Sequence, residues 1–306
     1  MAETSRTTIG HLTGQTALIP TLNAWEMHMY DQGRSPHTIK AFLSDVRLLA
    51  DYLPPDRTLG AITSSDLNNF LSWLEKGRGI PCSPKSLARR ITSIKSFFRW
   101  LQTGGVLIIN PAEKVLQRSV ISPLPQVLAD EEVSAVLLAA DRYRRLPKPD
   151  ARPYLLLSLL LNTGIKKSEC LGIHINHIDR AAPEGPLVFI RYASPANRYK
   201  ERKIKLSDEW LMVYDEYLQQ YNPVDQLFPW SPRRLEYLLE DIGKEAGLEK
   251  HLSFDMCRWT SSLIDMSNNV EPDRIRQKLG ISKIQWREIR DKLGQLSGNM
   301  ESDQIS

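Results

Sequence analysis

The residues of this chain best suited to chemistry are cations at regular spacing. At about 100° per residue, a helix over 85–101 places Leu87, Ile91, Ile94, Phe98 and Leu101 within an arc of about 80°. Lys85, Arg89, Thr92, Ser96 and Arg99 fall opposite, with Arg90 and Lys95 on the flanks. That side carries no carboxylate, whereas a merely solvated face mixes Glu with Lys. Cations and small hydroxyls at this spacing suit contact with phosphate oxygens. Lys40, in an earlier helical stretch, is grouped with them. A second concentration lies in "LNTGIKKSECLG", residues 161–172, where Thr163-Gly164 closes an apolar run and Lys166 and Lys167 open a helix. The plain alternative for each of these is a solvated surface cation.

Other chemistry finds little support. His174 and His177, in "HINH", read as a strand-like segment whose alternation puts them on opposite faces, so a metal pair is not expected. Asp255 with Asp265 or Glu271 has no metal-ligand spacing, and no phosphate-binding P-loop or GxGxxG occurs. No metal and no cofactor is expected. Cys82, Cys170 and Cys257 are odd in number and far apart, which argues against a disulfide framework or a zinc site. The tryptophans, such as Trp73, read as packing residues.

Several elements must position these cations. The chain has 306 residues, enough for two domains, with 42% hydrophobic and 25% charged residues as in ordinary folded proteins. The start "MAETSRTTIGHLTGQ" is not a signal peptide, and no apolar run reaches about 18 residues, so the expectation is a cytoplasmic protein without membrane contact. Residues 1–18 read as a flexible arm. Residues 19–105 read as four capped helices: Ser35-Pro36 and Ser83-Pro84 open two of them, and "ITSSDLNNFLSWL" forms another. Gly104-Gly105 and Asn110-Pro111 stop this domain, and 106–125 reads as a linker. Residues 126–296 form a second, mixed α+β domain. It holds a buried helix in "PYLLLSLLLNTG", a hairpin of "PLVFIRY" and "ERKIKL" around "ASPAN", and helices near 208–220, 232–246, 254–268, 272–279 and 283–296. A tail follows over 297–306. The fold class is thus mainly α with one small β-hairpin. Residues 1–122 carry 14 basic and 9 acidic residues, and 123–306 carry 26 and 27, an asymmetry that suggests a nucleic-acid partner.

The order of motifs carries a resemblance. "SPHTIKAFLSDVRLLADYL", "SLARRITSIKSFFRWL" and "NPAEKV" resemble the core-binding (SAM-like) domain of the tyrosine recombinase, or phage integrase, family. "LADEEVSAVLLAA", "LLLNTGIKKSECLGIHINHID", "YKERKIKLSD" and "CRWTSSLIDMSNNVEPDRIRQKLGISKIQ" resemble its catalytic domain. The likeness covers about 19–292. It implies a two-domain clamp on duplex DNA, and attack by a tyrosine on a DNA phosphate, with cations and histidines stabilising the charge that develops.

Five of the six matched catalytic positions depart from that pattern. Lys166 stands where T-G-x-R-x-x-E has its arginine, keeping charge but losing the planar fork. Asn197 stands at the lysine position, with Lys200 or Arg198 as alternatives. In H-x-x-R, Asp255 replaces the histidine and Arg258 survives. A carboxylate there repels phosphate, and its spacing allows it to pair with Arg258. Ile281 replaces the second histidine, and Arg290 holds the nucleophile position; the last tyrosine is Tyr237. The resemblance therefore implies an accessory, architectural or regulatory duplex-DNA-binding protein with no catalytic residue, associated with the nucleoid. Lys166, Lys200, Arg202 and Arg258 would be kept, like Lys167, to hold phosphate. Its partners would be DNA, an active tyrosine recombinase, or its own copies, docked through a helix in "ISKIQWREIRDKLGQL". One alternative is an active recombinase using Tyr192, Tyr199 or Tyr237. Another is an assembly partner that binds no DNA.

Overall fold

The computed structural model describes residues 10–80, 82–116 and 123–303, with side chains to 298. The chain divides into an N-terminal unit, Met1–Pro123, and a C-terminal unit, Leu124–Ser306.

In the N-terminal unit the capping signals act where the sequence put them. α1 (Leu18–Asp31) is followed by α2 (Pro36–Tyr52), whose Ser35 hydroxyl accepts from the Thr38 N–H. Thr63 and Asp66 form a reciprocal capping box at α3 (Ser64–Ser72), and Ser83 caps α4 (Pro84–Thr103). The apolar arc of α4 is buried: Leu87, Ile91, Ile94, Phe98 and Leu101 pack in one core with Trp25, Ile39, Val46 and Leu67. Two expectations need correction. Residues 10–18 are not a loose arm: Leu12 is buried, the Gly60 N–H donates to Gly14 O at 2.7 Å, and Leu59 donates to Thr16 O at 2.9 Å. The linker is also shorter than 106–125, because Leu107, Ala112 and Val115 belong to the core and Ser64 Oγ donates to Pro111 O at 2.7 Å. Residues 1–9 of the arm and 117–122 of the linker lie outside the described residues.

The C-terminal unit is organised on α6 (Arg152–Thr163). Leu155, Leu156, Leu157, Leu159, Leu160 and Leu161 are all buried, as its all-round apolar pattern requires. Against it stand α5 (Asp130–Arg142), α8 (Asp208–Tyr221), α9 (Pro232–Glu245) and α10 (Phe254–Ser267). The Trp210 indole donates to Leu155 O at 3.1 Å, so its one polar atom is satisfied inside the core. The expected hairpin is present as β2 (Leu187–Ile190) and β3 (Arg202–Lys205), antiparallel with Val188 opposite Ile204. A short β1 (Ile178–Asp179) adds to β2. "HINH" is not a strand: 175–177 make one tight turn, and the His174 and His177 rings meet edge to face at 5.0 Å, not on opposite faces. The chain ends in α11 (Pro272–Leu279) and α12 (Lys283–Asp303), so 297–303 is helix, not tail; 304–306 lie outside the described residues. α12 packs on its own unit, with Leu293 and Leu296 buried against Leu263. Among the described residues no helix is long and apolar enough to cross a membrane.

Gly164 ends α6 at φ +59° and turns the chain towards Lys166. A Cβ there would meet Ser261 Oγ at 3.2 Å and Leu279 Cδ2 at 3.3 Å. Gly164→Ala is therefore expected to lower the unfolding free energy by about 1–2 kcal/mol, the cost of a left-handed alanine. Urea unfolding of the full chain checks this.

Candidate functional site

The turn after α6 leads into α7 (Lys167–Leu171), with Lys166 as its N-cap residue. α10 brings Asp255 and Arg258 to the same place. Lys166, Lys167, Asp255 and Arg258 line one cleft of about 770 Å³, together with Arg233 and Tyr237 of α9 and His251. The Arg258 guanidinium is held by main-chain oxygens: Nη1 donates to Gly164 O and Nη2 donates to Leu279 O at 2.9 Å. The expected pairing with Asp255 is not made, because these carbonyls take the fork; Asp255 acts on Arg258 only through its field. Burial pushes the Arg258 guanidinium down to about 10, helped by Arg202 and opposed by Glu169. Burial, then the Arg258 charge, also lowers the Lys166 ammonium. The cleft also holds negative charge: Glu236 and Glu240 line it with Asp255, and Lys167 Nζ donates to Glu236 at 2.7 Å, so the expected phosphate contact at Lys167 is spent on a carboxylate. An oxyanion beside Lys166 and Arg258 would favour the charged form of each.

Behind this cleft lies a buried ion pair. Arg202 donates to Glu169 from both guanidinium ends, at 3.1 and 2.9 Å, with the side chains 9% and 1% exposed. Arg202 also donates to Lys278 O at 2.6 Å, the Lys166 N–H donates to Glu169 at 2.8 Å, and the Tyr192 hydroxyl donates to the same carboxylate. Arg202 is therefore not a phosphate contact: its fork is consumed inside the fold. Tyr192 is not poised to attack, since burial and the Glu169 hydrogen bond push its phenol up to about 12.

The other matched positions disperse. Asn197 lines a second cleft, of about 760 Å³, with His174, His177 and Arg198, and takes a hydrogen bond from Lys200 Nζ at 2.8 Å. Lys200 lies 5.1 Å from the Tyr199 ring centroid, so it too is engaged locally. Ile281 is buried with Ile275 and Leu279. Arg290 is exposed on α12. Among the described residues no three His, Cys, Asp or Glu gather as a metal site.

On α4, Lys85 and Arg99 are exposed and Lys95 is half-buried; Lys40 of α2 is exposed. Arg89 and Arg90 differ from the expectation of a carboxylate-free face. Asp45 of α2 is buried and accepts from Arg89 Nη1 and, at 2.7 Å, from Ser93 Oγ; Arg90 Nε stands 3.5 Å from it. Burial raises the Asp45 carboxyl, against the Ser93 hydrogen bond and the two arginines. Arg89 keeps 41% of its side chain exposed, but Arg90 turns inward. The signal for this was a carboxylate among the buried positions Ile39, Leu43, Val46 and Leu49 of α2. Arg233 and His251 were missed as cleft residues, and nothing in their spacing pointed to them.

Comparison with known proteins agrees with this architecture. The model of the phage integrase N-terminal SAM-like domain matches residues 22–105, and that of the phage integrase family matches 126–286. The chain is 24% identical over 280 residues to the tyrosine recombinase XerD of Listeria innocua, covering 85% of this chain and 89% of that one. It is 31% identical over 206 residues to XerC of Myxococcus xanthus, covering 66% and 64%, and 28% identical over 191 residues to a tyrosine recombinase of Thermosipho africanus, covering 62% and 63%. The last two alignments span less than two thirds of those relatives. Among solved structures, a lambda integrase dimer bound to a COC' core site matches with TM-score 0.70 at 16% identity, covering 91% and 78%. XerH bound to difH substrate matches with TM-score 0.66 at 17% identity, covering 94% and 90%. At these identities the two structures speak to fold alone.

The Glu169 network carries a pH dependence. Burial alone would raise the Glu169 carboxyl, but Arg202, Tyr192 and the Lys166 N–H outweigh it and hold it below its ordinary 4.5. A depressed carboxyl contributes stability that is complete above the unfolded value and lost as pH falls through the folded one. Melting temperatures of the parent chain should therefore fall below about pH 4.5 more steeply than those of Glu169→Gln. At neutral pH the variant should be less stable by about 3 kcal/mol or more, with Arg202 left buried and unpaired.

Proposed function

This chain belongs to the phage integrase family of tyrosine recombinases, and from that premise we propose that it binds duplex DNA without cutting it. It serves recombination or integration as an accessory, architectural or regulatory factor, acting at the nucleoid in the cytoplasm. The observation that carries this is the divergence within one site. Lys166 and Arg258 remain in one cleft, with no carboxylate bonded to either side chain among the described residues, and there they hold a backbone phosphate. The nucleophile position is instead an exposed arginine, Arg290, and residues 238–306 contain no tyrosine. Asp255, lining the cleft, adds a carboxylate where a donor would be needed. Lys85, Lys95, Arg99 and Lys40 supply further phosphate contacts from the N-terminal unit, with Arg89 shared between Asp45 and solvent. Lambda integrase has been seen as a dimer on a core site and as a tetramer on a Holliday junction; by analogy this chain assembles on DNA with its own copies or with an active recombinase.

One observation favours a second reading, an active enzyme with a relocated nucleophile. Tyr237 is 43% exposed, lines the cleft of Lys166 and Arg258, and accepts a hydrogen bond from Arg233 Nε at 2.7 Å. A suicide duplex carrying a nick beside candidate cleavage positions separates the two. The first reading expects retarded duplex and no covalent protein–DNA adduct. An adduct that disappears in Tyr237→Phe establishes the second. A protein that retards no duplex at low salt is an assembly partner only. If DNA is bound, Lys85→Glu with Lys95→Glu should weaken it and flatten the dependence of log K on log salt by about one unit for each phosphate no longer neutralised.

A further inference from the structure

Resting on the duplex-binding reading above, we propose that the loop after α3 is a wedge that enters the minor groove and bends the DNA. Residues 76–112 hold seven cations (Lys76, Arg78, Lys85, Arg89, Arg90, Lys95 and Arg99) and no carboxylate. The loop opens that run and leads into the N-terminus of α4. It carries an apolar side chain in water: Ile80 is 76% exposed, with Lys76 and Arg78 exposed before it. A large aliphatic side chain held in water between cations suits insertion at a base step while phosphates are neutralised on either side.

The base of the loop is braced, which a wedge requires. α3 ends in a π-turn, Trp73–Gly77, the kind of bulge that re-aims the chain. Trp73 lies 5.2 Å from Tyr52 and 6.0 Å from Phe70, centroid to centroid, and the Arg78 guanidinium lies 6.0 Å from the Trp73 ring. Gly77 makes this possible, because a Cβ there would stand 2.8 Å from Trp73 Cδ1. The Cys82 N–H closes the base onto Leu74 O at 3.1 Å, and Arg90 Nη1 holds Cys82 Sγ at 3.0 Å. A pre-ordered base lowers the entropy lost when the tip inserts. The duplex class favoured is one with flexible pyrimidine–purine steps, which unstack most easily.

The test uses the full chain and an end-labelled duplex of about 30 base pairs with a central TA step, read by energy transfer between the ends. The parent chain should shorten the end-to-end distance on binding. Ile80→Ser should bind within roughly twofold of the parent, as an exposed substitution allows, and lose the shortening. Arg78→Ala should flatten the salt dependence by about one unit. Binding by the parent chain without bending, or bending by Ile80→Ser equal to the parent, overturns the wedge and leaves the duplex-binding reading standing. Failure of the parent chain to bind any duplex overturns both.

Discussion

One buried carboxylate orders the C-terminal unit. Glu169 receives the Lys166 N–H, both guanidinium ends of Arg202 and the Tyr192 hydroxyl. Through Arg202 it also reaches Lys278 O on α11. One side chain thus ties the start of α7, the strand β3, the connector after β2 and the end of α11. A charge this deeply buried is tolerated only with its full set of donors. The cleft is tied to this arrangement through Lys166, which lines it and whose N–H donates to Glu169.

The electrostatics of the cleft follow. Arg202 spends its charge on Glu169, whereas Lys166 and Arg258 are half-buried with no carboxylate bonded to either side chain among the described residues. Burial disfavours both charged forms, and the Arg258 charge adds to the cost for Lys166. Replacing a fork with an ammonium at position 166 keeps the attraction and gives up bidentate geometry.

Much of this was legible in the sequence because caps and apolar periodicity are local. Ser35, Thr63 and Ser83 mark their helices, and the apolar arc of α4 is buried as its spacing requires. The pairing of charges was not legible, since it is set by tertiary contact. Asp45 meets Arg89 across 44 residues, and Glu169 meets Arg202 across 33. A helical wheel shows one helix at a time, so it could not reveal that α2 supplies a carboxylate to the face of α4. The turn in "HINH" is hidden for a different reason: four residues are too few for a period to tell a strand from a tight turn. The arm and the linker are shorter than their Gly and Pro residues suggest, because those residues mark turns, and turns can be packed as firmly as helices.

The partners of Arg258 have a bearing on how such a protein drifts. Gly164 and Leu279 engage it through their carbonyls, not through side chains. A codon change replaces a side chain but leaves the peptide oxygen in place, so long as the backbone keeps its course. A substitution at a neighbouring position such as Asp255 would therefore leave this arginine aimed, because neither of these hydrogen-bond partners is a side chain. An anchor made of main chain does not depend on the identity of the side chains around it.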